Sequence, residues 1–406
     1  MISVSFVVGD IRQVQGVTRY TECLLSQNDL FKQSSINFVN LYSSDSTYPC
    51  GEYCSQDIKR VVLKSNRRAG LRSRIKNLAF FKSSFTQFLL VMREYLCISK
   101  QSADRCLKSE EHEEVLVFQD LFAAFRYLSK RNEQKAKVIL VTHAADDPLG
   151  QMLGFRNKLN GTVYERVIRK MVDYAFAKSD SIVVICDTAK EYIKKRYGIN
   201  PIKISNAVPD IDDSIRFNRE TYLRDAASEP INCAVVGTLS KRKGQDRLLS
   251  AFARMEDSAR SRFIIHIFGG GEQEREIKDY CVSHDLTERV VFYGAVENIA
   301  KHLIKMDVLL LPTRMDTVPL AIIEAMRGSV PFFSTNVGGI PELYEDGVGM
   351  LFSSDDEGMD EMLKAVLAHN KELKNWGKNA RKRYERYYSL KAQRTLYIEL
   401  FSKLVK

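Results

Sequence analysis

The segment DTVPLAIIEAMRG, residues 316–328, sets an aspartate, a threonine and a proline at the start of an apolar helical pattern, with a glutamate two turns in. Pro319 suits the first turn of a helix and Gly328 the position just past its end. Asp316, Thr317, Val318, Pro319 and Leu320 then lie where unpaired backbone N–H groups and the positive end of the helix dipole attract an anion. Glu324 falls between Ile323 and Ala325, where an ordinary core helix would carry a hydrophobe. A buried carboxylate needs a hydroxyl or N–H partner. A ribose diol offers two such hydroxyls; a cap or ion pair within the protein is the alternative.

A second constellation, VVGTLSKRKGQDRLL at residues 235–249, supplies cations. Gly237 ends a strand pattern, Thr238 follows, and Arg242 and Lys243 precede Gly244 and a new helix. Lysine and arginine at such a turn can neutralise a diphosphate through charge-assisted hydrogen bonds. That reading requires the helix start at 317–320 to face them; otherwise they are solvated. Weaker signals are Gly16 in QGVTRY, Gly270 in IFGGGEQE and His143 in VTHAAD. Taken singly, each glycine is a tight turn and a lone histidine after a strand is structural.

These residues recur just after short apolar runs, and those runs are the elements that must position them. ISVSFVV, VLVFQD, KVILVTHA and SIVVICD read as strands of a first half; NCAVVG, FIIHIFG, RVVFYGA, DVLLLPT and VPFFSTN as strands of a second. Near-continuous apolar strands separated by helical patterns imply parallel sheets covered on both faces, hence two doubly wound α/β domains. In such sheets ligands bind at the carboxyl ends of the strands. The composition relaxes over residues 204–230, which places the interdomain linker there.

The length of 406 residues suits two domains. No apolar run is long enough to span a bilayer, and MISVSFVVGD lacks the marks of a signal peptide, so a cytoplasmic location is expected. Among the eight cysteines, Cys23, Cys97, Cys186, Cys233 and Cys281 fall within apolar patterns and read as core. Cys50 and Cys54 lack a second half of zinc spacing, and no metal is expected. The net charge of +10 concentrates between Lys59 and Lys82. Apolar residues, among them Ile75, Leu78, Ala79, Phe85, Phe88 and Leu89, are interleaved there. A basic amphipathic helix or hairpin over 59–89 would suit an anionic membrane surface, at the inner face of the cytoplasmic membrane. Nucleic acid is disfavoured because no stacking or helix-turn-helix signature accompanies the charge.

Together VVGTLSKRKG, IFGGGEQE, DTVPLAIIEAM and NVGGIPELYEDGVG resemble, in order and spacing, the retaining family 4 glycosyltransferases of the GT-B fold, over roughly residues 231–355. RKRYERYYSLKAQRTLYIELF resembles that family's closing helix, and QGVTRY, VTHAAD and ISNAVPD its first-domain landmarks more loosely. The resemblance implies two Rossmann-like domains facing a central cleft: an acceptor-binding domain over 1–207 and a nucleotide-sugar-binding domain over 208–386. A helix over 387–406 would cross back to the first. It implies a retaining, metal-independent hexosyltransferase that uses a nucleoside diphosphate sugar, most often a UDP-sugar, as co-substrate without a cofactor. The acceptor would be a glycan or lipid-linked glycan in bacterial surface polysaccharide synthesis, such as capsule or lipopolysaccharide. Catalytic positions map to His143, Asp316 and Lys243. Donor-binding positions map to Gly16, Gly237, Thr238, Arg242, Lys243, Gly270, Thr317, Val318, Pro319, Leu320 and Glu324. Two positions depart from the pattern: Asp316 replaces the first glutamate, and Thr238 replaces an arginine. Both bear on donor choice, and they sustain a rival reading, a catalytically silent GT-B partner of an active transferase.

Overall fold

The structure is a computed structural model that describes residues 1–9, 15–50, 83–109, 113–131, 136–153, 157–212 and 230–406. The chain forms two compact units, Met1–Ser205 with Gln393–Lys406, and Asn206–Ala392.

The first unit is built on a seven-stranded sheet of order β3-β2-β1-β4-β5-β6-β7. Its strands are β1 (Ile2–Val7), β2 (Ile36–Tyr42), β3 (Thr47–Pro49), β4 (Val115–Phe118), β5 (Lys137–Thr142), β6 (Ser181–Val184) and β7 (Ile202–Lys203). Only β3 is antiparallel to its neighbour. Every residue of β4 is buried, as are Val138 to Thr142 of β5. Such runs lack polar alternation because helices cover both faces of the sheet. The helices of this unit include α1 (Gln15–Leu25), α2 (Ser84–Glu94), α3 (Leu121–Leu128) and α4 (Val163–Lys178). Ser83 caps α2 by accepting from Thr86 N at 3.1 Å, and Asp120 caps α3 by accepting from Ala123 N at 2.8 Å.

The second unit carries a six-stranded, wholly parallel sheet of order β10-β9-β8-β11-β12-β13. These strands are β8 (Ile231–Val236), β9 (Phe263–Phe268), β10 (Val290–Gly294), β11 (Val308–Leu311), β12 (Phe332–Thr335) and β13 (Gly349–Phe352). Its core joins Val235, Ile265 and Leu310 of the strands to Leu249 and Phe252 of helix α5 (Gln245–Arg254). Helix α6 (Leu320–Arg327) follows β11. Helix α7 (Leu390–Val405) closes the chain, and from Gln393 onward it clusters with the first unit. There Tyr397 and Phe401 are fully buried, Arg394 donates to Gln27 Oε1 at 3.0 Å, and Gln393 Nε2 donates to Ser205 O at 3.1 Å.

In both sheets the strand order reverses beside the first strand, between β1 and β4 and between β8 and β11. Connections leaving to opposite sides open a crevice at the carboxyl ends of those strands, which makes them the places where ligands bind.

One sequence expectation, the burial of Cys97, changes. The division between the two units, after Ser205, falls within the relaxed stretch 204–230, where Ile204 and Val208 are fully buried and Arg381 grips Asp210 with two hydrogen bonds of 2.6 Å. Cys97 is exposed, unlike Cys23, Cys186, Cys233 and Cys281. Of the basic segment 59–89, residues 59–82 lie outside the described residues, as does Cys54; the remainder falls at and within α2.

Candidate functional site: the carboxyl ends of both sheets

After β8 the chain turns at Gly237, makes a single tight turn over Lys241–Lys243, and enters α5 through Gly244. Gly244 has φ +73, and a side-chain carbon there would stand 2.0 Å from Pro312 O. Only glycine permits that approach, which holds the cationic turn against the end of β11. Thr313 Oγ1 donates to Arg242 O at 3.1 Å, and Arg314 N donates to the same carbonyl at 2.8 Å. Arg314 also forks onto Asp246 at 2.9 and 3.1 Å. Burial would raise the Asp246 pKa, but Arg314's hydrogen bonds and charge outweigh it and hold the carboxyl below its ordinary value.

This frame brings Lys243, Arg242 and Asp316 together. Lys243 Nζ donates to Asp316 Oδ2, both side chains being largely buried at 13% and 15% exposure. Arg242 lies 3.8 Å from Asp316 Oδ1 and donates to Met315 O at 2.9 Å. Lys241 is turned away to Glu276 at 3.2 Å and Asp246 at 3.5 Å. The stem of Lys243 runs beside Gly237, its Cε 3.6 Å from where a β-carbon would be. Thus the cations expected from VVGTLSKRKG do meet the residue that opens DTVPLAIIEAM, at the reversal of strand order.

The helix start differs in detail from its sequence reading. Pro319 (φ −66) is the cap residue, with Leu320 first in the helix, and Gly328 follows Arg327. Asp316 Oδ1 accepts from Thr317 N at 3.2 Å. Thr317 O accepts from Gly339 N at 2.8 Å, and Val318 O accepts from Asn206 Nδ2 at 2.8 Å. Thr317 and Val318 are therefore buried backbone anchors, while Leu320 and Glu324 are partly exposed. Thr238 is exposed, and its carbonyl accepts from Gln245 Nε2 at 3.2 Å. In the glycine run, the packing demand falls on the neighbours of Gly270. A β-carbon on Gly269 would meet Gly237 O at 2.0 Å, whereas one on Gly270 meets only the Glu274 carboxylate at 3.2 Å.

In the first unit, Gly16 lies in α1 and His143 directly follows β5. His143 Nε2 is 2.7 Å from Gln119 Oε1, and the amide oxygen can only accept, so Nε2 carries the hydrogen and Nδ1 the lone pair. The ring lies edge-on to Tyr20, centroids 5.0 Å apart. Tyr20 donates to Ile204 O at 3.4 Å and shares a 2.7 Å hydroxyl–hydroxyl bond with Tyr397. Burial pushes the His143 pKa down to about 4, so the imidazole is neutral near pH 7. Sequence reasoning does not single out Gln119 or the Tyr20–Tyr397 pair. The available signal is the ending of VLVFQD, which puts Gln119 just past a buried strand, as VTHAAD puts His143. Among the described residues no group of three or more His, Cys, Asp or Glu is placed to hold a metal ion, and no helix is long and apolar enough to cross a membrane.

Two parallel-sheet units, each with its polar constellation at the switch point, define the GT-B class of α/β protein. The structure matches Anabaena Alr3699/HepE, solved in complex with UDP, with a TM-score of 0.69 at 12% identity over 99% of this chain and 100% of that one. Residues 224–383, within the second unit, match the family model described as glycosyl transferases group 1. A Klebsiella pneumoniae protein, described as an uncharacterized 41.2 kDa protein in the cps region, is 29% identical over 55% of this chain and 60% of its own length. The N-acetyl-alpha-D-glucosaminyl L-malate synthase of Bacillus anthracis is 26% identical over 65% of this chain and 68% of its own. The chain thus spans under two thirds of the first of these relatives.

Proposed function

We propose that this protein is a glycosyltransferase of the hexosyltransferase type, which moves a sugar with retention from a nucleoside diphosphate sugar, most often a UDP-sugar, to a glycan or lipid-linked glycan. The observation that carries the reading is the Lys243–Asp316 pair, with Arg242, at the start of α6 and at the switch point of the second sheet. In this reading a diphosphate draws Lys243 and Arg242 from Asp316. The freed carboxylate orients the transferred sugar, and Glu324 takes the ribose hydroxyls. Prepositioned cations then stabilise charge on the departing nucleotide, which supplies leaving-group assistance without a metal. The UDP complex of the Anabaena protein and the cps-region relative support the donor class and a role in surface polysaccharide assembly.

The test is nucleotide release from a panel of UDP- and GDP-sugars with glycan and lipid extracts as acceptors. Turnover of one donor, reduced on the order of a hundredfold in kcat by Lys243→Ala, is expected. Tight nucleotide binding without turnover on any acceptor would overturn the enzyme reading in favour of the silent partner. That second reading draws on the engagement of Asp316 with both Lys243 and Thr317 N.

Membrane attachment is a further part of the proposal, supported by charge and exposure. Phe85 and Leu89 of α2 are 51% and 44% exposed, and Val163 and Val167 of α4 are 67% and 44% exposed. Phe88 stacks on Tyr164 at 4.8 Å, which joins the two helices, and Arg166 and Lys170 are exposed beside them.

A further inference from the structure

The amide nitrogen of Gln119 is a buried donor that makes no hydrogen bond among the described residues, although the residue is only 7% exposed. A donor left bare at that depth is costly, and native proteins rarely keep one without a use. It stands just past β4, at the reversal of strand order in the first sheet, where a ligand would be expected. The other end of the same side chain is engaged: Oε1 accepts from His143 Nε2 at 2.7 Å. With the oxygen turned to His143, the amide N–H groups face the other way. The same bond fixes the tautomer of His143, with Nδ1 as the basic nitrogen. Tyr20, held by Tyr397 and Ile204, braces the imidazole from its side.

We infer that Gln119 is a substrate-binding and positioning residue: its free amide N–H donates to a hydroxyl oxygen of a sugar bound at the carboxyl ends of β4 and β5, while its oxygen holds His143 in the Nδ1-basic tautomer. This rests on the glycosyltransferase reading above. The hydroxyl belongs either to the transferred sugar or to the glycan acceptor, and kinetics separates these sources.

Two substitutions divide the roles of the side chain. Gln119→Leu removes donor and acceptor together. Gln119→Glu keeps the shape and the acceptor to His143 but has no N–H to offer, and its carboxylate favours the imidazolium. With the full chain and whichever sugar nucleotide it turns over, both variants are expected to lose at least tenfold in kcat/KM. The loss appears in the donor KM if the hydroxyl is the donor's, and in the acceptor KM if it is the acceptor's. In Gln119→Glu the His143 imidazole, followed by NMR without any substrate, should titrate at least one pH unit higher, and the acidic limb of the pH–rate profile should move with it. A Gln119→Glu variant that keeps kcat/KM within twofold for both substrates, with the imidazole unmoved, overturns the inference. Failure of the underlying reading looks different: the wild-type chain then turns over no sugar nucleotide, while the NMR shift still reports the His143 contact.

Discussion

At the scale of single residues, the structure turns expected roles into paired ones. The sequence places Lys243 at a diphosphate-neutralising turn and Asp316 at a helix start as separate features, yet they hold one another. Asp316 is one methylene shorter than the glutamate usual in the resembling family, and here it serves as counter-ion to the cationic turn. His143 has a measurable consequence of its own. Its folded pKa of about 4 lies below the unfolded value of about 6.5. Between those values the unfolded chain binds more protons, so the stability contributed is fully present above about pH 6.5 and is lost as pH falls toward 4. The shift corresponds to at most about 3 kcal/mol. His143→Gln should therefore flatten the fall in thermal midpoint between pH 6.5 and 4 relative to wild type. Equal slopes for the two proteins would rule out a neutral buried imidazole.

At the scale of elements, the glycine run after β9 shows why a motif is not a contact map. Gly269 has φ +132 and faces Gly237 O, so a side chain there collides with backbone that cannot yield. Gly270 has only a movable carboxylate in front of it. Gly269→Ala should cost more than about 2 kcal/mol in denaturant unfolding, and Gly270→Ala less than about 1 kcal/mol. Comparable costs would mean that β8 and β9 do not approach in this way. Segment 59–89, whose described end includes α2, carries the membrane prediction. Neutralising Arg67, Arg68, Arg72 and Arg74 should weaken sedimentation with anionic liposomes, and Phe85→Ser with Leu89→Ser should add to the loss, each basic residue contributing on the order of 1 kcal/mol. Binding unchanged in both variants would dismiss a membrane role for segment 59–89.

At the scale of the whole molecule, the chain returns to its first unit after Ala392, and α7 becomes part of the packing behind His143. Tyr397 is fully buried, shares a hydrogen bond with Tyr20 and packs on Phe401 at 5.4 Å. Tyr397→Ala should destabilise the first unit by about 3–5 kcal/mol, the usual cost of deleting a large buried aromatic. Tyr397→Phe, which removes only the hydroxyl, should cost about 1 kcal/mol. Calorimetry of the full chain can follow both. A loss confined to the second unit's transition would contradict the placement of α7.

The nine strands legible as apolar runs are all present; inner strands such as β4 and β11 are covered on both faces and so are apolar along their whole length, while the edge strand β10 alternates. Strands β2, β3, β7 and β13 carry no such signal. β3 and β7 are only three and two residues long, β13 opens on Gly349 and leaves Met350 and Leu351 partly exposed, and β2 breaks its apolar run with Asn37 and Asn40. The cationic turn and the helix start are equally legible, since glycine, proline and charge at strand ends mark turns by local chemistry alone. What the sequence could not decide is pairing. That Lys243 takes Asp316, that Gln119 rather than a carboxylate holds His143, and that Gly269 rather than Gly270 is sterically required all depend on residues 24 or more positions apart. Such partners are set by the order in which strands join a sheet, and that order is a property of the folded chain.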